Sequence, residues 1–323
     1  MFVPKTPLGR GLALSALVGV GGLGWTSYRL LFAQPPQVWE KHVVPHGPLV
    51  PLAGNLWQVT GRVEPKSDAV MRNMVVYRLP RSDATQDDST EPPAVAPISA
   101  ASSTPVEPKE ESREELLLHS VIALSDEGMQ ELDNLGRVKY ILVPSPFHRL
   151  DAAVYKQRYP DAQVICPKSI RKQVSKVVPV DAVVEDVFGH DYASQGLKCY
   201  TPGAGLYIPE LVYELPLKEE KDATKEMATE SDKKALVFCD LVANVAEGPF
   251  NVRILGIVTG GNNPVVPWMP RYFFVRDKAQ TKRFLETLGR RDDIGLLVMA
   301  HGEPVKCGPD EMKRHLANLA AQF

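Results

Sequence analysis

From Pro51 onward the apolar positions of this chain fall into short strand-like runs, punctuated by turn residues and by a few segments of helical spacing. "NLWQVTGRV" (55–63) and "NMVVYRLP" (73–80) are β-rich runs, and "LLLHSVIAL" (116–124) resumes the pattern. Ser125 then stands before "DEGMQELDNL", which Gly136 follows, so a short capped helix is predicted there. A strand at 140–143, a helical segment around "AAVYKQRY" and a strand in "AQVICP" (162–167) continue as strand-helix-strand alternation. In the second half, "GLKCYTPGAGLYIPELVYEL" (196–215) reads as two strands around a Pro-Gly turn, and "ALVFCDLVANV" (235–245) as a buried strand ending at Asp240. After a Gly/Pro-rich loop near 259–270, "WMPRYFFV" (268–275) is placed among the core strands. "AQTKRFLETLG" (279–289) is an amphipathic helix closed by Gly289, "GLLVMAHGEPV" (295–305) a buried strand ending at His301, and "PDEMKRHLANLAAQF" a closing helix.

Composition interrupts this pattern twice. Residues 81–115 hold nine acidic and three basic residues with little to bury, and "PLKEEKDATKEMATESDKK" (216–234) is similarly charged; both are predicted to be disordered insertions. The predicted organisation is therefore an N-terminal anchor or targeting segment at 1–36, a linker at 37–50, and one α/β (α+β) domain over 51–323. A chain of 323 residues with 44% hydrophobic content can fill such a core.

The first forty residues have their own character. Lys5, Arg10 and Arg29 are the only charges before Glu40, and "GLALSALVGVGGLGWTSY" between the two arginines is eighteen residues without charge. A spanning helix takes roughly 17–25 apolar residues. Gly11, Ser15 and Gly19 would lie along one face of it. With no small-x-small cleavage site following, a single-pass membrane anchor through residues 11–28 is favoured over a mitochondrial presequence and over a secretory signal. A mitochondrial membrane is the expected location, with another organelle membrane as the alternative.

A net charge of −2 and the lack of aromatic-basic interleaving argue against nucleic acid as a partner. Cys166, Cys199, Cys239 and Cys307 show no CxxC spacing and read as reduced thiols. What stands out is that three strands stop at residues able to bind a metal: 140–143 before His148 and Asp151, 236–239 before Asp240, and 295–300 before His301. The carboxyl ends of strands are where α/β sheets hold ligands, and His with carboxylate is a usual shell for zinc, iron or manganese. His42, His46, His190 and His315 have no companions at informative spacing.

"PSPFHRLDA", "TPGAG", "FCDLV" and "AHGEPV" follow one another in that order, and on these residues the chain resembles the metallo-β-lactamase-like superfamily. That superfamily runs through a His-x-His-x-Asp-His loop, a Thr-Pro-Gly-His turn, a strand ending in Gly-Asp and a late strand ending in His-Gly. "LLLHSVIALSDE" with "LGRVKYILVPSPFHRLDAAVYKQRYPDAQVICP" resembles, more narrowly, an uncharacterised subgroup of it, a domain of unknown function. The resemblance implies an αββα sandwich over residues 51–323. It also exposes departures: the first loop keeps only His148 and Asp151, the turn has Ala204 where the family has a ligand His, and Arg149 brings a fixed charge suited to an anion.

Two functions follow. In one, the protein is a membrane-anchored pseudo-hydrolase, a binding module for a ligand or partner, with no metal. In the other, His148 or Asp151 joins Asp240 and His301 in a single-metal site hydrolysing a small ester, thioester or phosphoester. The plain structural alternative makes His301 and His119 core histidines, Asp240 a turn cap and Asp151 a helix cap.

Overall fold

The computed structural model describes residues 37–64, 67–81, 113–203, 209–219, 230–248, 253, 256, 258–260 and 263–323. Segment 1–36, Ala204 and the greater part of both insertions lie outside the described residues. Among the described residues no helix is long and apolar enough to cross a membrane.

Strands β1 (Val50–Ala53), β2 (Leu56–Glu64), β3 (Ser67–Arg78), β4 (Glu115–His119), β5 (Arg137–Leu142), β6 (Gln163–Cys166) and β7 (Ala182–Val183) form one sheet in chain order. Pairing is antiparallel from β1 to β4 and parallel from β4 to β7. The parallel half needs crossovers, and helices α1 (Asp126–Leu135) and α2 (Ala152–Arg158) supply the first two. The second sheet has the order β12-β11-β10-β9-β8, from β8 (Lys198–Tyr200), β9 (Val212–Lys218), β10 (Glu230–Phe238), β11 (Ile294–Met299) and β12 (Val305–Lys306). Its parallel pair, β10 with β11, is joined through α3 (Lys278–Leu288), and α4 (Pro309–Ala320) closes the chain.

Side-chain alternation along the strands sorts the apolar residues into three layers. On β4, Leu116 and Leu118 face Met129 and Leu132 of α1 and Tyr155 of α2, while Leu117 faces the other way, toward Leu215, Val237 and Leu296 of the second sheet. On the far side Leu236, Phe238 and Leu297 pack with Leu285 and Leu288 of α3 and Leu316 and Leu319 of α4. The layers are thus helix, sheet, sheet, helix, in agreement with the sandwich that the resemblance implies. Ser125 caps α1 by accepting from the Gly128 N–H, and Asp277 caps α3 by accepting from the Gln280 N–H at 2.9 Å.

Four expectations change. Residues 37–50 are packed on the domain: the Trp39 indole donates to the Leu124 carbonyl at 3.1 Å and lies 5.1 Å from the Tyr155 ring, and Val44 is buried. The second insertion is shorter than its charge suggested, because β9 runs to Lys218 and β10 begins at Glu230. Its outer charged residues extend a hairpin whose inner residues are core. The strand read as ending at Asp240 ends at Phe238. "WMPRYFFV" is not a core strand either: Pro270–Phe274 is a wide helical turn that leaves Tyr272 56% and Phe273 60% exposed.

Candidate metal centre

Three residues are delivered to one point at the carboxyl ends of the strands. His148 comes from the turn Pro146–His148 after β5, Asp240 from the turn after β10, and His301 from just beyond β11. One ligand atom of each lies within 4.8 Å of the others. The Asp240 Oδ1 oxygen is 3.2 Å from His148 Nε2 and 3.3 Å from His301 Nε2, and the two imidazole rings are 5.7 Å apart. The His148 side chain is 4% exposed, Asp240 13% and His301 15%, so His148 is the innermost of the three.

Each of the three is held from behind. Ser120, in the left-handed region at φ 59°, places its hydroxyl 2.7 Å from His148 Nδ1 and so turns Nε2 toward Asp240. The His301 Nδ1–H donates to the Met71 carbonyl on β3 at 2.6 Å. The Ser145 hydroxyl donates to Asp240 Oδ2 at 3.0 Å, which leaves Oδ1 for the histidines. Glu210 collects the N–H groups of Cys239, Asp240 and Leu241 at 2.8–2.9 Å and fixes the turn that carries Asp240. Asn73 donates to the carbonyls of Met299 and Gly302 at 2.8 and 2.7 Å, clamping the His301 turn to β3. Gly302 has φ 94°, and a Cβ there would overlap the Asn244 backbone.

The electrostatics are those of a buried charge cluster. Burial pushes the Asp240 carboxyl up, but His148 and His301 outweigh it and hold it well below the usual carboxylate range. Burial lowers His148 despite Asp240. It raises Glu210 to about 8, helped by the charge of Asp240. His119 is pushed down to about 3, first by burial and then by His148. Its ring packs edge-on against Tyr213 at 5.3 Å, and among the described residues neither ring nitrogen has a hydrogen-bond partner.

Asp151 is not brought to this group. Its carboxylate accepts from Arg72 and lies 2.7 Å from His42 Nδ1, and it makes no side-chain cap on α2. Arg72 and His42 outweigh burial and keep Asp151 ionised below its ordinary range. His42 and His46 therefore do have companions: His46 Nε2 accepts from the Ser125 N–H at 2.8 Å. Arg149 is 1% exposed, so it shows no charge to a solvent-borne anion, and burial lowers its pKa. Ala204, read as a lost ligand position, lies outside the described residues.

The three residues suit a divalent cation on their own chemistry. The Met71 carbonyl can only accept, so the proton of a neutral His301 ring sits on Nδ1 and the lone pair of Nε2 faces the Asp240 carboxylate. Two acceptors 3.3 Å apart repel unless a proton or a cation lies between them. With Ser120 accepting from His148 Nδ1–H, a second Nε2 lone pair points at the same place, giving two imidazoles and one carboxylate.

No protein-family model and no curated protein matches the chain. Solved structures similar to it include metallo-β-lactamase FIM-1 from Pseudomonas aeruginosa in its mono-zinc form, at 11% identity and TM-score 0.47, covering 89% of this chain and 98% of that one. A metallo-β-lactamase from Pontibacter korlensis is 11% identical at TM-score 0.44, covering 85% and 99%. One from Hirschia baltica is 10% identical at TM-score 0.45, covering 85% and 98%.

Proposed function

We propose that the protein is a metal-dependent hydrolase with a mononuclear site, held by His148, Asp240 and His301, that acts on an ester, thioester or phosphoester. The observation that carries this reading is the facing pair of acceptors, His301 Nε2 and Asp240 Oδ1, with His148 Nε2 beside them. Three protein ligands with an open side is the arrangement of catalytic rather than structural sites. A bound zinc, iron or manganese ion would supply Lewis acidity, polarising a carbonyl or phosphoryl oxygen and acidifying water. The chain's own residues do the rest. Ser120 and Met71 set the ring orientations, Ser145 and Glu210 set the carboxylate, and buried His148 excludes water from behind. A second metal is not part of the proposal, because Asp151 is committed to Arg72 and His42.

That same commitment favours the second reading, a pseudo-hydrolase that binds a ligand or partner: the first loop gives one metal-facing residue where the resembling superfamily gives four. Membrane attachment through residues 11–28, and kinship with the uncharacterised subgroup, belong to the proposal in either form.

Metal content by mass spectrometry of the purified full chain separates the two. About one equivalent of zinc, iron or manganese in wild type, absent from Asp240→Asn and from His301→Ala, supports the hydrolase and licenses a substrate screen. No metal after supplementation overturns it and leaves the binding module.

A further inference from the structure

The turn that sequence patterning assigned to the core is instead an aromatic, cationic surface next to the site. Tyr272 and Phe273 are 56% and 60% exposed and Trp268 is 37% exposed, its ring 5.8 Å from that of Phe273. Arg271 and Lys278 both lie over the Tyr272 ring, at 5.4 and 4.1 Å, so aromatic faces and positive charges share one surface. Phe274 turns inward and stacks on Phe147 at 5.9 Å, and Phe147 is the neighbour of His148 in the chain. The aromatic turn therefore forms part of the rim of the His148 loop.

We propose that this turn, Trp268 to Phe274 with Arg271 and Lys278, docks onto an anionic lipid bilayer. Trp and Tyr are the side chains that settle at the headgroup level, with an apolar body and a polar tip, and adjacent Lys and Arg are drawn to anionic lipid. The protein as a whole carries −2, so the positive turn is a local feature rather than a reflection of bulk charge. The chain outside the described residues supports the same occupant. Residues 1–36 contain no acid, three basic residues and eighteen consecutive uncharged ones. The described chain begins beside α2, where Gln37 pairs with Gln157 at 2.7 Å. Helix α2 starts four residues after His148 and spans about 10 Å. Arg29 lies eight residues before Gln37, a separation of at most about 28 Å when extended. Docking of the turn would bring the rim of the His148 loop to the lipid–water boundary.

Hydrogen–deuterium exchange of the full chain tests this, read separately in peptides covering 268–276 and 1–36. The probes are phosphatidylcholine vesicles with and without phosphatidylserine. Exchange in 268–276 slows with the anionic vesicles and not with the neutral ones, and the slowing is lost in Tyr272→Ser/Phe273→Ser while 1–36 stays protected. In Lys278→Gln the vesicle concentration for half-protection rises about fivefold. Protection confined to 1–36 overturns the proposal. So does protection of 268–276 that grows with protein concentration in the absence of vesicles, which would make a second copy the occupant. Neither readout depends on metal, so the docking surface and the metal site stand or fall separately.

Discussion

Ser120 carries two opposed costs. A non-glycine residue in the left-handed region is disfavoured by about 1–2 kcal/mol, and Ser120 accepts that conformation while its hydroxyl meets His148 Nδ1 at 2.7 Å. Ser120→Gly is expected to raise the melting temperature of the metal-free protein slightly and to weaken metal affinity about 10–100-fold, measured by thermal unfolding and by metal titration. Gly302→Ala differs in its effect on stability. Its φ of 94° and the adjoining Asn244 backbone leave no room for a methyl group, so both stability and metal affinity should fall. Of the residues that make the site, the three that face one another were legible, because each ends or follows an apolar run. Ser120, Ser145, Glu210 and the Met71 carbonyl were not. They act across long separations, as with Glu210 reaching a turn 30 residues away. The one signal for Glu210 is an acid inside the apolar "YIPELVYEL", where burial of a carboxylate demands a fixed set of donors.

Strands and helices were read well where pattern and capping agreed, as at Ser125 with α1 and Gly289 with α3. Reading failed where charged residues run on from a core strand, at Lys218 and Glu230, or where an aromatic sits off one. Glu214 lies at the centre of β9 with its side chain fully buried, between the Tyr200 hydroxyl at 2.8 Å, Arg291 at 2.5 Å and Lys234 at 3.2 Å. Burial pushes its pKa up, but Arg291 and Tyr200 bring it below the ordinary value, and Asp293 in the same network is also depressed. A carboxylate lowered in the folded state stabilises above its unfolded pKa. That contribution is lost as pH falls below about 4.3 toward the folded value. Glu214→Gln should therefore cost about 3 kcal/mol at neutral pH. The difference between wild type and variant should shrink below pH 4, as denaturant unfolding at several pH values would show. A variant gap that stays constant with pH would remove the ion pairs from the account.

At the scale of the molecule, the order helix, sheet, sheet, helix was implied by motif order. The place of residues 37–50 was not, because Pro45, Gly47 and Pro48 break any strand or helix period and hide what Trp39 and Val44 contribute. Those residues also close the buried group His42, Asp151 and Arg72, which ties the N-terminal stretch, β3 and the His148 loop together. Removing one member of such a group strands the others, so Asp151→Asn should cost about 3–5 kcal/mol of stability while leaving metal stoichiometry unchanged. Asp240→Asn should abolish the metal. If Asp151→Asn also abolishes it, the His148 loop depends on that buried pairing and not only on its own turn.

The three facing residues come from both sheets: His148 from the first, Asp240 and His301 from the second, with His148 and Asp240 92 positions apart in the chain. No fragment of the chain ending before β11 holds all three. Ligand convergence is thus a late event in assembly, complete only after the sheets have closed face to face. A refolding chain should acquire tight metal binding in its last kinetic phase, after the burial of Trp57 and Trp39 reports the first sheet and its helices. Metal occupancy would then act as a molecular timestamp, distinguishing finished chains from compact but unassembled ones.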